Sequence, residues 1–123
     1  MSSQGTAGLY FKGGDAVALP AVYRSAPISL NSTGTIILAV PGKRIKIFAI
    51  KLVVSAIMSI QFRDGQGNVL EGLQAMLANS GFVECVNPPT FLFGTTQGNS
   101  LDMVISGAGS VGGRVSYWAD DVT

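Results

Sequence analysis

The sequence predicts an all-β fold, an antiparallel β-sandwich of jelly-roll-like type with an extended N-terminal arm. Three observations predict it. Short runs rich in β-branched and aromatic residues recur along the chain, turn signals separate them about every 8 to 12 residues, and no long segment holds a helical period. At 123 residues the chain is sized for one domain, which buries roughly two-thirds of its unfolded surface without disulfides or metals. Residues 1–27 read as the arm and 28–123 as the sandwich.

The arm is rich in Gly, Ser and Ala and carries Tyr10, Phe11 and Tyr23 with no sustained period. Large aromatics without a local core need a partner surface. A neighbouring subunit and the domain's own sheet both fit that need. From Thr35 the pattern becomes strand-like: TIILAV runs to Pro41-Gly42, a turn dipeptide that predicts a hairpin. In the next run the apolar phase passes from Ile45 and Ile47 to Ile50, Leu52 and Val54, which predicts a β-bulge near Ala49 and Ile50. Ile57 to Arg63 alternates with Met58, Ile60 and Phe62 on one face and ends in the turn-forming Asp64-Gly65-Gln66-Gly67-Asn68. Val69 to Ala78 spaces Val69, Leu73, Met76 and Leu77 almost helically, although Gly72 opposes a helix, so a single helical turn and an irregular loop are both open. Phe82 to Val86 is a short strand closed by Asn87-Pro88-Pro89, and the prolines favour an edge or corner. Leu101 to Ser106 and Arg114 to Ala119 alternate about a glycine-rich loop and predict a C-terminal hairpin.

Composition narrows the function. Lys and Arg total 8 against 7 Asp and Glu, a net +1, so no broad field steers the chain to nucleic acid or anionic lipid. Only 12% of residues are charged, and interface cores are depleted of charge. Homo-oligomerisation is therefore expected, against a monomer coated in Ser, Thr, Asn, Gln and Gly. The single cysteine, Cys85, sits in an apolar stretch and is expected as a buried free thiol. No basic start followed by an apolar run opens the chain, which implies a protein made and kept in a cytoplasm. Ile45 to Ile60, broken by Lys46, Lys51, Ser55 and Ser59, falls short of the ~20 residues that span a bilayer as a helix.

The chemical inventory predicts no enzyme and no cofactor. Histidine is absent, which removes the usual general base and the commonest metal ligand. Among Asp15, Asp64, Glu71, Glu84, Asp102, Asp120 and Asp121 no pair falls where strand alternation would aim both into one cleft, as a two-carboxylate hydrolase requires. Asp64-x-Gln66-x-Asn68 has the start of a calcium loop, but Val69 and Ala75 stand where its glycine and glutamate belong, so a turn is expected. Gly107 to Gly113 opens no helix and lacks the Lys-Ser/Thr of a phosphate-binding loop. Lys43, Arg44, Lys46 and Lys51 suit gatekeeping of an apolar strand better than phosphate contacts. Asn31-Ser32-Thr33 matches a glycosylation sequon and reads as an ordinary turn. Tyr117 and Trp118 face opposite ways on a strand, so one needs a partner outside the core. Tyr10, Phe11, Tyr23 and Trp118 are the candidate interface residues.

Pro41-Gly42-Lys43-Arg44-Ile45-Lys46-Ile47, with Ile60-Gln61-Phe62, Gly98-Asn99-Ser100-Leu101 and Gly112-Gly113-Arg114-Val115-Ser116-Tyr117, resembles small virion proteins of tailed bacteriophages over about residues 33–119. The resemblance implies a β-sandwich on the capsid surface that decorates or cements the head by binding the major capsid protein, often as a homotrimer. The alternative it admits is a tail or fibre accessory part, a receptor-binding sandwich that recognises a cell-surface glycan. It implies manufacture in a bacterial host cytoplasm; the charge balance and the lack of a spanning apolar run predict no nucleic-acid or membrane partner.

Overall fold

The computed structural model describes residues 22–121, whose regular structure consists of nine β-strands with no helix. They are β1 (Arg24–Leu30), β2 (Gly34–Ile37), β3 (Lys43–Val54), β4 (Met58–Asp64), β5 (Gln74–Met76), β6 (Gly81–Cys85), β7 (Phe93–Gly94), β8 (Leu101–Ser106) and β9 (Val111–Asp121). Two antiparallel sheets pack face to face as a β-sandwich. One runs β1-β9-β3-β6, with β7 also on β3, and the other runs β2-β8-β4-β5.

The core lies between them. Ile45, Ile47, Ile50, Leu52 and Val54 of β3 meet Met58, Ile60 and Phe62 of β4 and Leu101 and Met103 of β8, all buried. Each such side chain contributes about 1.5–3 kcal/mol on leaving water. The β3–β9 register shifts between Ile47 and Ala49, leaving Phe48 as the extra residue. That bulge lies one residue before the expected position. It lets odd-numbered residues face the core before it and even-numbered residues after it.

Both predicted hairpins are instead crossings between sheets. Pro41-Gly42 does form a tight turn, with Lys43 N–H donating to the Val40 carbonyl at 3.0 Å and Gly42 at φ 72°. It carries the chain from β2 in one sheet to β3 in the other. The glycine-rich loop after β8 likewise leads into β9 of the opposite sheet. A turn signal marks where the chain reverses, but the strand that pairs next is chosen by where the apolar faces meet. In both cases that strand is not the neighbour in sequence.

β1 begins at Arg24 and pairs with β9 from Arg24↔Tyr117 to Leu30↔Val111, so residues 24–27 of the expected arm belong to the sheet. Tyr10 and Phe11 lie outside the described residues. The near-helical stretch after Asn68 forms neither a helix nor a simple loop: Gln74–Met76 pairs with β4, with Met58 opposite Met76. Cys85 is exposed rather than buried. Its strand is the outermost of its sheet, so only one side of β6 is covered.

Gly113 sits at φ 150°, and a Cβ there would overlap the Lys51 carbonyl oxygen on the neighbouring strand. Gly113→Ala should therefore lower unfolding stability by at least about 2 kcal/mol in urea titration, because both the strand pairing and the backbone conformation must adjust. Gly112→Ala, where a Cβ meets only the Ile28 carbonyl at 3.9 Å, is the matched control and should change stability far less.

Candidate interaction surfaces

The bulge in β3 sets one surface by turning Phe48 away from the core. There it joins Trp118 of β9, with ring centroids 5.8 Å apart, and Tyr23, whose ring lies 5.5 Å from Phe48 and 5.9 Å from Trp118 in edge-on geometry. Phe91 meets Trp118 edge-on at 6.1 Å. Lys46 Nζ stands 5.1 Å from the Phe91 centroid and 6.0 Å from that of Trp118, and the Arg44 guanidinium is 5.2 Å from Phe91. Such cation–ring contacts each contribute about 0.5–1 kcal/mol where partly exposed. Asp120 Oδ2 ties the group together, accepting from Lys46 Nζ at 3.2 Å and from Trp118 Nε1 at 2.9 Å.

Two of the four expected interface residues, Tyr23 and Trp118, thus come together on the outer face of the first sheet. Trp118 is only 4% exposed, enclosed by its aromatic and cationic neighbours, while Tyr23 is half exposed. Tyr117 turns the other way and packs on the core, as alternation requires. The basic residues Arg44 and Lys46, expected as gatekeepers, serve this cluster. A cleft of about 470 Å³ is lined by Val22, Arg24, Val40, Lys43, Tyr117 and Ala119, on the strand phase opposite to Tyr23 and Trp118.

A second surface lies at the opposite flank, where β5 and β6 end their sheets. Val69 is opposite Arg63, and Leu73, Ala75 and Leu77 share the outward phase at this edge. Leu77 is 73% exposed and Leu73 65%. Ile57 and Leu77 line one shallow depression there. On the neighbouring sheet Val53 and Val83 are also exposed, Val83 at 71%. Six of the nine large exposed apolar side chains among the described residues are carried by the strands at this flank and their connections, Ile57, Val69, Leu73 and Leu77 with β4 and β5, and Val53 and Val83 on the outer face of the other sheet. Sequence periodicity missed it, because exposure depends on which strands end the sheets.

The flank also holds two carboxylates that strand alternation did not bring together. Burial and the nearby Glu84 carboxylate push the Glu71 carboxyl above its usual value. Glu71 comes from the β4–β5 connection and Glu84 from the edge strand, so only tertiary contact makes them neighbours. Among the described residues no three His, Cys, Asp or Glu side chains gather as a metal-ion site, and no helix is long and apolar enough to cross a membrane.

Asp64, buried at 1% exposure, has a structural task. Its Oδ1 accepts from the Gln66 and Asn68 backbone amides at 3.0 Å each. Its Oδ2 accepts from Asn68 Nδ2 at 3.0 Å, Thr96 Oγ1 at 2.8 Å and the Thr96 amide at 3.3 Å. The carboxylate thereby closes its own turn and pins the loop that follows β7.

Comparison with protein-family models, with curated proteins and with solved structures returns no match.

Burial alone would raise the Asp64 pKa, but the donors from Asn68, Thr96 and Gln66 outweigh it and hold the carboxyl at about 2, from an ordinary 3.8. A depressed folded-state pKa gives stability that is complete above the unfolded value and lost as pH falls toward the folded one. Asp64 should thus contribute about 2 kcal/mol at neutral pH and lose it between about pH 5 and pH 2. Urea titrations across that range should show the loss in the native chain, and Asp64→Asn should be less stable at pH 7 and flatter in pH.

Proposed function

We propose that the chain is a structural protein of a bacteriophage virion, a self-associating jelly-roll module that decorates or cements the head by binding major capsid subunits, without catalysis. The observation that carries this reading is the strand order. Setting aside the two-residue β7, eight strands run β1-β9-β3-β6 and β2-β8-β4-β5, and the chain passes repeatedly between the two sheets. This interleaving supports the jelly-roll reading, an architecture of two Greek keys used by viral capsid and lectin domains. The apolar flank at β5 and β6 and the low charge of the chain support an assembly role, because such a surface gains stability only when a partner covers it. The sequence resemblance to phage virion proteins supplies the context.

One observation favours a second reading, a glycan-binding part of a tail or fibre. The half-exposed Tyr23 ring stands at an aromatic cluster with Phe48 and Trp118, the type of platform on which a sugar stacks, and lectin domains share the strand arrangement.

Immunogold electron microscopy separates the two. An antibody to the purified chain, applied to phage particles from cells carrying the gene, should label heads at regular positions. Label confined to tails or fibres transfers the assignment to the second reading, and intact particles without label overturn both.

A further inference from the structure

We propose that β6 is a self-association edge. Two copies pair their β6 strands antiparallel about a two-fold axis at Val83, which joins their β1-β9-β3-β6 sheets into one continuous sheet. The inference rests on reading the chain as a building block of an assembly.

The backbone defines the edge. Val54 N–H donates to the Ser80 carbonyl at 2.9 Å, and Val86 N–H donates to the Phe48 carbonyl at 2.9 Å. Backbone groups alternate in direction along a strand, so Phe82 and Glu84 turn theirs toward β3. Gly81, Val83 and Cys85 turn theirs outward, and all three residues are exposed. Among the described residues no strand pairs with that side. A row of open donors and acceptors is a template for another extended strand.

The edges at β1, β2 and β5 carry the features that block such pairing, and β7, which pairs only with β3, has two residues. β1 contains Pro27, which lacks a donor, together with Arg24; β2 has four residues and a register shift; β5 has three residues. β6 has five residues, with no proline, no lysine and no shift in its register with β3. Its one charge is Glu84.

The edge complements itself, which argues for a second copy as the occupant. With Val83 opposite Val83 of the second copy, Gly81 faces Cys85 in both directions. All three outward residues then form hydrogen-bonded pairs, two bonds per pair. Glu84 lies opposite Phe82 of the second copy rather than opposite another Glu84. Registers centred on Phe82 or Glu84 leave the outward groups of Cys85 or Gly81 outside the strand overlap, and the second sets two carboxylates face to face. Side-chain burial reinforces the pairing, because the two exposed Val83 side chains meet on the outer face, next to Lys51 and within reach of Val53. This contact makes a dimer, where the resemblance implies a trimer.

The test is the absolute mass of the full chain by size-exclusion chromatography with light scattering over a concentration series. The expected species has twice the chain mass of 12.7 kDa. Val83→Lys should raise the dissociation constant at least tenfold with an unchanged circular dichroism spectrum. Should Val83→Lys fail to fold, Val83→Cys with Cys85→Ser decides: oxidation should cross-link it, because a hydrogen-bonded antiparallel pair has Cα atoms about 5.5 Å apart, within disulfide range. A persistent monomer, a three-chain mass, an undisturbed dimer in folded Val83→Lys, or a Val83→Cys dimer that does not cross-link would each overturn the proposal. Gold-labelled heads together with a monomeric chain would overturn this contact alone, whereas a dimer with unlabelled particles would overturn only the virion assignment.

Discussion

Strand β3 must turn apolar side chains into the core at both ends of its twelve residues, and with this sequence strict alternation cannot do that. Ile45 and Ile47 have one parity, while Ile50, Leu52 and Val54 have the other. Inserting Phe48 as a bulge resolves the conflict, since a one-residue slip exchanges the two faces of a strand. This strand is the hub of its sheet: it pairs with β9 along its whole length, with β6 after the bulge and with β7 before it. The same extra residue builds the outer aromatic cluster, because Phe48 is expelled to where Tyr23 and Trp118 enclose one another. Core and surface here are two consequences of one irregularity.

Polar groups then hold what apolar burial leaves loose. Asp64 collects five donors from two loops, and Thr95, also buried, exchanges hydrogen bonds with Ile45 while its carbonyl accepts from Arg44 Nε at 2.9 Å. Gly94 leaves room for this, since a Cβ there would stand 3.0 Å from Arg44 Nε. Both anchors fix the same end of the sandwich. The opposite corner, where β5 and β6 end their sheets, keeps exposed Leu, Ile and Val and an open backbone edge.

Much of this was legible in the chain itself. The class of fold, the bulge within two residues, the Pro41-Gly42 turn and the opposed directions of Tyr117 and Trp118 all follow from local period and turn chemistry. Strand partners do not, because pairing is decided by which faces meet across the core, and so the two expected hairpins proved to be crossings. Cys85 shows the same limit. Its neighbours Phe82, Val83 and Val86 are apolar, but β6 lies at a sheet edge, where hydrophobicity no longer implies burial. The proximity of Glu71 to Glu84 and the apolar flank were hidden for that reason too. Tyr23 and Trp118 were singled out as aromatics in need of partners, and those partners, Phe48 and Phe91, lie 25 residues or more away in sequence from both.

An irregularity that fixes the core also limits how the surfaces can vary, since any change that restores simple alternation to β3 must expose one half of its apolar residues. The most direct measurement compares deletion of Phe48 with Phe48→Ala by urea unfolding followed by tryptophan fluorescence. The alanine variant keeps the bulge and loses only part of an aromatic cluster, so it should unfold cooperatively with a loss of about 1–3 kcal/mol. The deletion should abolish the cooperative transition. A deletion variant that unfolds cooperatively with the stability of Phe48→Ala would contradict the account.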